Sequence, residues 1–349
     1  MHVKKHILET FKMKSLNFFE KYLTIWIVIS IIVGITLGNS VSHLGIIVNK
    51  FSFGNINIPI AIGLILMIYP PLVKVRYSLT KKVIKDKKSM SLSLVLNWVV
   101  SPILMFLLAI TFLKDYPGFM VGLILVGIAR CIAMVLVWND LADGNKEWGA
   151  TLVAVNSVFQ IFFYSGYAWF FISYLPSKMG FLGMDINISL IFVFKNVVIF
   201  LGIPLILAGM TRYFSLIFKN EKWLNEFIIP LVSPLAPLAL IYTIILMFAL
   251  QGRAITQTPI DIILIAIPLI LYFFIMFFLS YGLGQFLRIK REKNTSIAFT
   301  AAGNNFELAL AIAIAVFGIN SPQAFATVIG PLIEVPVLIF LVNVVKKLN

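Results

Sequence analysis

The chain's only cysteine, Cys131, directly follows Arg130 in a stretch that is otherwise apolar. An arginine at bilayer depth costs about 3 kcal/mol on insertion scales, so it persists where it lines a cavity, pairs with an acid or takes part in function. A neighbouring guanidinium also favours the thiolate, the form of cysteine that binds soft metals. The pair predicts a site for a substrate that prefers sulfur; the alternative is a cysteine that merely packs as a small hydrophobe.

A second polar interruption, with the sequence Gly-Asn-Asn-Phe-Glu, covers residues 303–307. These helix-poor residues predict an unwound segment whose backbone lines a polar cavity. Counted inward from Ser296, Glu307 lies about 17 Å along a helix, near the middle of the membrane. Burial disfavours a carboxylate, so Glu307 is predicted to bind and release a proton at ordinary pH. The alternative is a structural carboxylate paired with Arg130 or Lys195.

Two further charged residues lie inside apolar runs. Glu334 stands between Pro331 and Pro336, which predict a kinked helix that lines a cavity. Glu334 is either a second protonation site or the ion-pair partner of Arg130 or Lys195. Lys195 has apolar neighbours and is predicted to lie too deep to reach the surface, so a salt bridge is its expected role.

Other polar residues have structural interpretations. Asn156 and Gln160 are four residues apart and share a helix face, so they either line the cavity or bond between helices. The polar segment 138–147 is predicted to be a turn before the next helix. The basic run 81–88 is predicted to be a solvated membrane-topology signal near anionic lipid.

The composition is that of an integral membrane protein. Hydrophobic residues make up 60% of the 349 residues, charged residues only 12%, and the mean hydropathy is +1.01. A soluble domain carries roughly 25% charged residues. The net charge of +14 is concentrated in short loops between apolar runs, which argues against a nucleic-acid partner. No signal peptide is evident, because the first apolar run continues for a full span.

Cofactor chemistry finds little support in the sequence. All three histidines lie near the N-terminus, at positions 2, 6 and 43, so the apolar runs offer no imidazole for zinc or haem. One cysteine cannot form a disulfide framework. Neither the HExxH nor the GxSxG pattern nor a P-loop is present. We therefore predict no cofactor and no enzymatic activity.

The apolar runs predict ten transmembrane helices, since a span needs about 20 residues. They cover approximately 22–38, 57–73, 90–113, 117–138, 148–175, 187–210, 227–250, 259–287, 296–318 and 323–345. With both termini in the cytoplasm, 22 of the 28 lysines and arginines lie in cytoplasmic segments and four lie outside. This asymmetry supports ten spans with both termini in the cytoplasm. We expect a multi-pass protein of the cell inner (plasma) membrane.

The ten spans form one transporter domain, 22–349, after a cytoplasmic segment, 1–21. Five spans per half place the halves in opposite orientations, as in transporters with inverted repeats. The predicted repeats are about 22–176 and 186–346. The two polar interruptions fall in spans 4 and 9, the fourth span of each half, and such paired breaks are the best sequence indication of a transporter binding site.

Four segments, residues 129–142, 299–309, 316–321 and 329–336, resemble the arsenite efflux permeases of the bile acid–sodium symporter superfamily. This resemblance implies an all-α fold of two inverted five-helix repeats, with discontinuous helices 4 and 9 crossing at the centre. It implies proton-driven export of arsenite, with antimonite as a further candidate substrate and sodium as a less favoured coupling ion. The family's essential cysteine falls on Cys131 and its essential glutamate on Glu307.

Arsenite chemistry agrees with this resemblance. Arsenite is an uncharged trihydroxide at neutral pH, and trivalent arsenic is soft and prefers thiolate. We therefore expect Cys131, Arg130, Asn304 and Asn305 to bind the substrate, with arsenic on Cys131, and Glu307 and Glu334 to couple protons. Other hypotheses are a sodium-coupled symporter of organic anions, a passive channel for small neutral solutes, and an intramembrane enzyme with Cys131 as nucleophile. The sequence does not predict an oligomeric state.

Overall fold

The computed structural model describes residues 22–41, 43–54, 56–75, 83–180 and 188–348. The expected cytoplasmic segment 1–21 lies outside these residues. The helices are α1 (Leu23–Ser40), α2 (Leu44–Lys50), α3 (Ile58–Lys74), α4 (Lys87–Leu113), α5 (Pro117–Ile128), α6 (Met134–Leu141), α7 (Lys146–Lys178), α8 (Leu190–Phe218), α9 (Glu221–Gln257), α10 (Pro259–Phe286), α11 (Arg291–Ala302), α12 (Phe306–Phe317) and α13 (Pro322–Lys347).

The expected all-helical membrane protein is confirmed in its main features. Within the described ranges, six helices are long and apolar enough to cross a membrane: α4, α7, α8, α9, α10 and α13. The pair α1 and α2, bent by 96°, gives a seventh candidate if it counts as one span. Helices α3, α5 and α12 are apolar but shorter.

A two-stranded hairpin, not predicted by the sequence analysis, precedes α3. Strand β1 (Ser52–Phe53) pairs antiparallel with β2 (Ile56–Asn57). The turn begins at Gly54, whose φ of +59° is a conformation that glycine adopts without steric cost. The side chain of Asn57 then caps α3 by accepting a hydrogen bond from the amide of Ile60.

Proline explains a repeated irregularity in the long helices. Helices α4, α7, α8 and α9 each contain a π-helical turn that ends two residues before a proline; these turns are Leu96–Val100, Trp169–Tyr174, Val198–Gly202 and Leu224–Ile228. Proline lacks an N–H and crowds the carbonyl four residues earlier. A π turn absorbs that crowding without ending the helix.

The helices pack into two groups. The first, here called the four-helix bundle, contains α1, α3, α8 and α9, with α9 packed mainly on α1 and α3. The second, here called the crossing bundle, contains α4 to α7 and α10 to α13, with α13 packed on α5, α10 and α12. Fewer contacts join the groups, chiefly from the first half of α8 to α7 and α12.

Candidate substrate site at two helix breaks

The two polar interruptions are breaks between helices, and they contact each other. One break separates α5 from α6 and the other separates α11 from α12. Arg130 and Asn304 form an isolated antiparallel β-bridge. The amide of Cys131 donates to the carbonyl of Gly303 at 3.3 Å, and the amide of Asn305 donates to the carbonyl of Ala129 at 3.0 Å. Backbone groups that each broken helix leaves unpaired are therefore satisfied by the other break.

The end of α5 is closed by side chains from three directions. The Tyr164 hydroxyl donates to the carbonyl of Leu125 at 3.0 Å, and the Asn304 Nδ2 donates to that of Val126 at 2.8 Å. The Arg130 guanidinium donates to the carbonyl of Gly127. A helix end buried in a membrane needs such partners, because no water is available for its last carbonyls. Asn304 thus has a structural role besides its expected role in substrate binding.

Arg130 is fully buried and its charge faces two helix C-termini. Besides the α5 carbonyl, the Nη1 atom donates to the carbonyl of Ala301 in α11 at 3.3 Å and to the Tyr272 hydroxyl at 3.0 Å. The C-terminal end of a helix carries partial negative charge, so this guanidinium has the favourable sign. Within the described ranges it forms no ion pair with Glu307 or Glu334.

Gln160 of α7 holds the backbone of the first break. Its Oε1 accepts from the amide of Arg130 at 2.9 Å, and its Nε2 donates to the carbonyl of the same residue at 3.1 Å. Asn156, one turn earlier, accepts from Trp98 Nε1 at 3.0 Å. Asn156 and Gln160 were expected either to line the cavity or to form hydrogen bonds between helices. Both residues form such bonds.

Cys131 lies at the N-terminus of α6 and is 2% exposed. Its Sγ accepts a hydrogen bond from the amide of Val135 at 3.3 Å. This backbone amide at the start of α6 fixes the direction of the sulfur. The Arg130 guanidinium is bonded to other groups, so the sulfur's hydrogen bond comes from α6 and not from the arginine that the sequence analysis emphasised.

Glu334 is the acid that reaches the second break. Its Oε1 accepts from the amide of Asn304 at 3.3 Å. A Cβ added to Gly303 would lie 3.1 Å from the Cys131 Cβ and 3.4 Å from the same Oε1 of Glu334. The thiol residue and this carboxylate therefore flank Gly303, and a side chain there would press on both.

Glu307 faces a different space. It stands in the first turn of α12 and lines a cavity of about 10 Å³, comparable to one water molecule. The other lining residues come from α3, α9 and α12: Ile60, Leu64, Thr243, Leu246, Met247 and Leu310. Glu307 thus lies where the crossing bundle meets the four-helix bundle. Over the described residues, no hydrogen bond joins it to Cys131.

Three buried polar atoms at the breaks have no hydrogen-bond partner within the described part of the chain: Asn304 Oδ1, Asn305 Nδ2 and Arg130 Nε. The Oδ1 of Asn305 caps α12 by accepting from the amide of Leu308 at 3.0 Å. Each asparagine therefore uses one end of its amide for structure and leaves the other available. Such orphaned groups, beside a thiol, suit a small polyhydroxylated substrate.

Lys195 does not have its expected salt bridge. It is exposed and forms no ion pair in the described ranges. Because α8 begins at Leu190, Lys195 lies about 7 Å from the helix start, close enough to extend to the surface. In the segment 138–147, the Asn145 side chain accepts from the amide of Trp148 and begins α7, so the expected turn is present.

Sequence reasoning missed Tyr272 and Tyr164, which bond the two sides of the first break. Both are apolar enough to pass as packing residues in a membrane helix. Tyr272 also shares a hydrogen bond of 2.5 Å with the Ser101 hydroxyl. The one available signal was that a tyrosine buried in a membrane helix must find a partner for its hydroxyl.

The chain is similar to one family model and to several known proteins. Residues 61–258 match the Sodium Bile acid symporter family. The chain is 46% identical to the arsenical-resistance protein Acr3 of Corynebacterium glutamicum over 331 residues, covering 95% of this chain and 90% of that protein. It is 31% identical to Acr3 of Alkaliphilus metalliredigens over 345 residues, covering 96% and 94%. It is 35% identical to an uncharacterized transporter of Synechocystis over 352 residues, covering 95% and 90%.

These matches confirm that the protein is a membrane transporter and not an enzyme. They also confirm the resemblance to the arsenical-resistance proteins, which extends over nearly the whole chain. The chain belongs to the Sodium Bile acid symporter family, within its group of arsenical-resistance proteins.

Proposed function

We propose that the protein exports arsenite across the cell inner (plasma) membrane by exchange with protons. The observation that carries this proposal is the position of the only thiol in the chain. Cys131 Sγ lies at a helix N-terminus where two helix breaks meet, beside unpartnered polar atoms of Asn304 and Asn305. Two relatives of similar length are named arsenical-resistance proteins, which supports arsenic as the substrate.

The chemistry of one thiol suits transport. The Cys131 thiol and arsenite form an arsenic–sulfur bond and release one water, with no change of oxidation state. Three thiolates would hold trivalent arsenic too tightly for release, whereas one gives a reversible bond. The free Asn304 Oδ1 accepts from an arsenic hydroxyl, and the free Asn305 Nδ2 donates to one. Antimonite has the same hydroxide chemistry and is included as a candidate substrate.

We infer ten transmembrane helices in two inverted repeats. The first repeat, about 22–176, contains α1, α3, α4, the broken pair α5–α6, and α7. The second, about 186–346, contains α8, α9, α10, the broken pair α11–α12, and α13. Each half has its broken pair in the fourth place, which supports the inverted arrangement. The charge asymmetry of the loops supports cytoplasmic termini.

The surroundings of Arg130 support proton coupling over sodium coupling. In transporters with broken helices, helix C-terminal ends and unwound carbonyls can bind sodium. Here the C-terminal ends of α5 and α11 are occupied by a guanidinium, which donates to Gly127 and Ala301. A second cation beside this fixed charge would be repelled. Glu307 and Glu334 are the acids that remain to bind protons.

Transport then follows from the two groups of helices. Arsenite arrives from the cytoplasm and binds Cys131 while Glu307 is ionised. The crossing bundle moves relative to the four-helix bundle and exposes the site outside. A proton that reaches Glu307 favours substrate release, and the same proton leaves inward as the carrier resets. Glu307 is suited to this step because it lines the space between the groups.

Everted membrane vesicles test this mechanism. A pH gradient in sodium-free buffer should drive arsenite accumulation by the wild type, and Cys131→Ala and Glu307→Gln should each abolish it. Ser157→Ala is the matched control, because its buried hydroxyl bonds only within α7, to the carbonyl of Val153. Full activity of either site variant would refute the mechanism. A requirement for sodium would refute proton coupling alone.

The family description favours one other function, sodium-coupled symport of an organic anion. In that case Cys131 is a packing residue. The same vesicles would then take up an organic anion with sodium, and a thiol-blocking reagent would leave uptake intact. Accumulation of arsenite against its gradient would exclude a passive channel.

A further inference from the structure

A groove away from the helix crossing is lined by residues that have no role in the proposed transport mechanism. It lies between the first turns of α4 and the end of α10, with a volume of about 480 Å³. Its lining residues are Lys87, Lys88, Ser91, Leu92, Val95 and Leu287. The α4 residues recur at intervals of four, so they lie on one helix face. Val95 is 49% exposed, so in the membrane this face is open to lipid.

The groove is charged at one end. Lys87 and Lys88 stand in the first turn of α4, which contains no acidic residue, and their ammonium groups form no ion pair within the described ranges. The helix N-terminus adds partial positive charge at the same place. The nearby Asp86 carboxylate does not neutralise them, because it pairs with Lys293 at 2.9 Å.

The chain beyond the groove strengthens this charge. Leu287 directly follows α10, and after it come the exposed cations Arg288, Lys290 and Arg291, with Glu292 as the only acid before Lys293. The rest of the groove's lining, Leu92, Val95 and Leu287, is apolar. The groove thus joins a cationic end near the membrane surface to an apolar wall that faces the hydrocarbon.

We propose that this groove binds an anionic phospholipid, with its phosphate at Lys87 and Lys88 and an acyl chain along Leu92, Val95 and Leu287. Basic clusters between helices at the membrane surface are suited to acidic headgroups. A free inorganic anion would gain nothing from the apolar wall. A zwitterionic lipid would gain little from the two lysines, because its own ammonium group offsets the phosphate. Charge and apolar surface together therefore select an acidic lipid.

Native mass spectrometry of the full-length protein tests this proposal. The protein is released from detergent that contains equal amounts of phosphatidylglycerol and phosphatidylcholine with identical acyl chains. The wild type should retain phosphatidylglycerol in preference. Lys87→Gln with Lys88→Gln should lower that preference by about 30-fold, since each lysine at a membrane surface contributes about fivefold. Val95→Trp, which fills the groove without a change of charge, should reduce retention of both lipids.

A matched control separates this groove from general surface attraction. Lys346→Gln with Lys347→Gln removes two exposed lysines from the end of α13, and it should keep the preference within about twofold of the wild type. Equal losses in the two double variants would overturn the proposal, as would an unchanged preference in the Lys87 and Lys88 variant. Displacement of the lipid by excess glycerol phosphate would also overturn it, because the site would then bind a free phosphate.

Discussion

Replacement of Gln160 by leucine tests how the first helix break is held. The Gln160 amide is fully buried and pairs with both backbone groups of Arg130, at 2.9 Å and 3.1 Å. Leucine has a similar volume but can neither accept nor donate a hydrogen bond. The substitution therefore leaves one N–H and one C=O unpaired at a place where no water is available.

The expected cost follows from these two groups. A buried polar group left without its partner costs about 1–3 kcal/mol, so the variant should lose about 2–6 kcal/mol of stability. The same loss should loosen the backbone that carries Cys131, the next residue in the chain. We therefore expect arsenite transport to fall further than the amount of protein in the membrane.

Thermal unfolding of the purified variant and arsenite uptake per molecule of transporter measure the two effects. Ser157→Ala is again the control, since its hydroxyl bonds only within its own helix and its loss should cost no more than about 1 kcal/mol. If Gln160→Leu unfolds at the wild-type temperature and transports at the wild-type rate, this amide does not hold the break, and the reasoning fails.

Two further variants test the contact of Tyr272 with Arg130 and that of Asp86 with Lys293. Tyr272→Phe removes the hydroxyl bonded to Arg130 at 3.0 Å and should lower stability by about 1.5–3 kcal/mol. The control Tyr281→Phe, in the same helix, should have little effect. Equal unfolding temperatures of the two variants would contradict this prediction. Partial burial raises the pKa of Asp86, but the hydrogen bonds from Lys293 and the amide of Ser89 outweigh it and hold the pKa below its ordinary 3.8. The Asp86 carboxylate therefore stabilises the folded protein above pH 3.8, its pKa in the unfolded chain. This stabilisation is lost as the pH falls through the lower pKa of the folded protein. Asp86→Asn should lower the free energy of unfolding by less than about 1 kcal/mol at pH 7 and should not change it in strong acid. Urea unfolding at the two pH values measures this difference, and an equal loss at both would contradict the prediction.

The second helix break could be predicted because its residues resist a regular helix, whereas the first was predicted only as a polar interruption of an apolar run. Gly303 and the asparagines after it have low helix propensity, and Arg130 is costly in an apolar helix. The sequence also predicted Cys131 and the second break as parts of one site, which agrees with the backbone bonds between them.

The orientation of side chains at the breaks could not be predicted. In a helix the direction follows from the position in the turn, but in an extended segment it depends on tertiary partners. Arg130 therefore faces Tyr272 and helix carbonyls, not an acid. Likewise, Glu334 is the acid that flanks Gly303 together with Cys131, while Glu307 lines the space beside the four-helix bundle.

Arsenic X-ray absorption of the purified protein with bound arsenite tests the central claim most directly. The chain contains one cysteine, so any thiolate bond to arsenic must come from Cys131. We predict scattering from one sulfur per arsenic atom in the wild type and oxygen scattering alone in Cys131→Ala. Oxygen scattering alone in the wild type, or identical spectra for the two proteins, would contradict a substrate site built on Cys131.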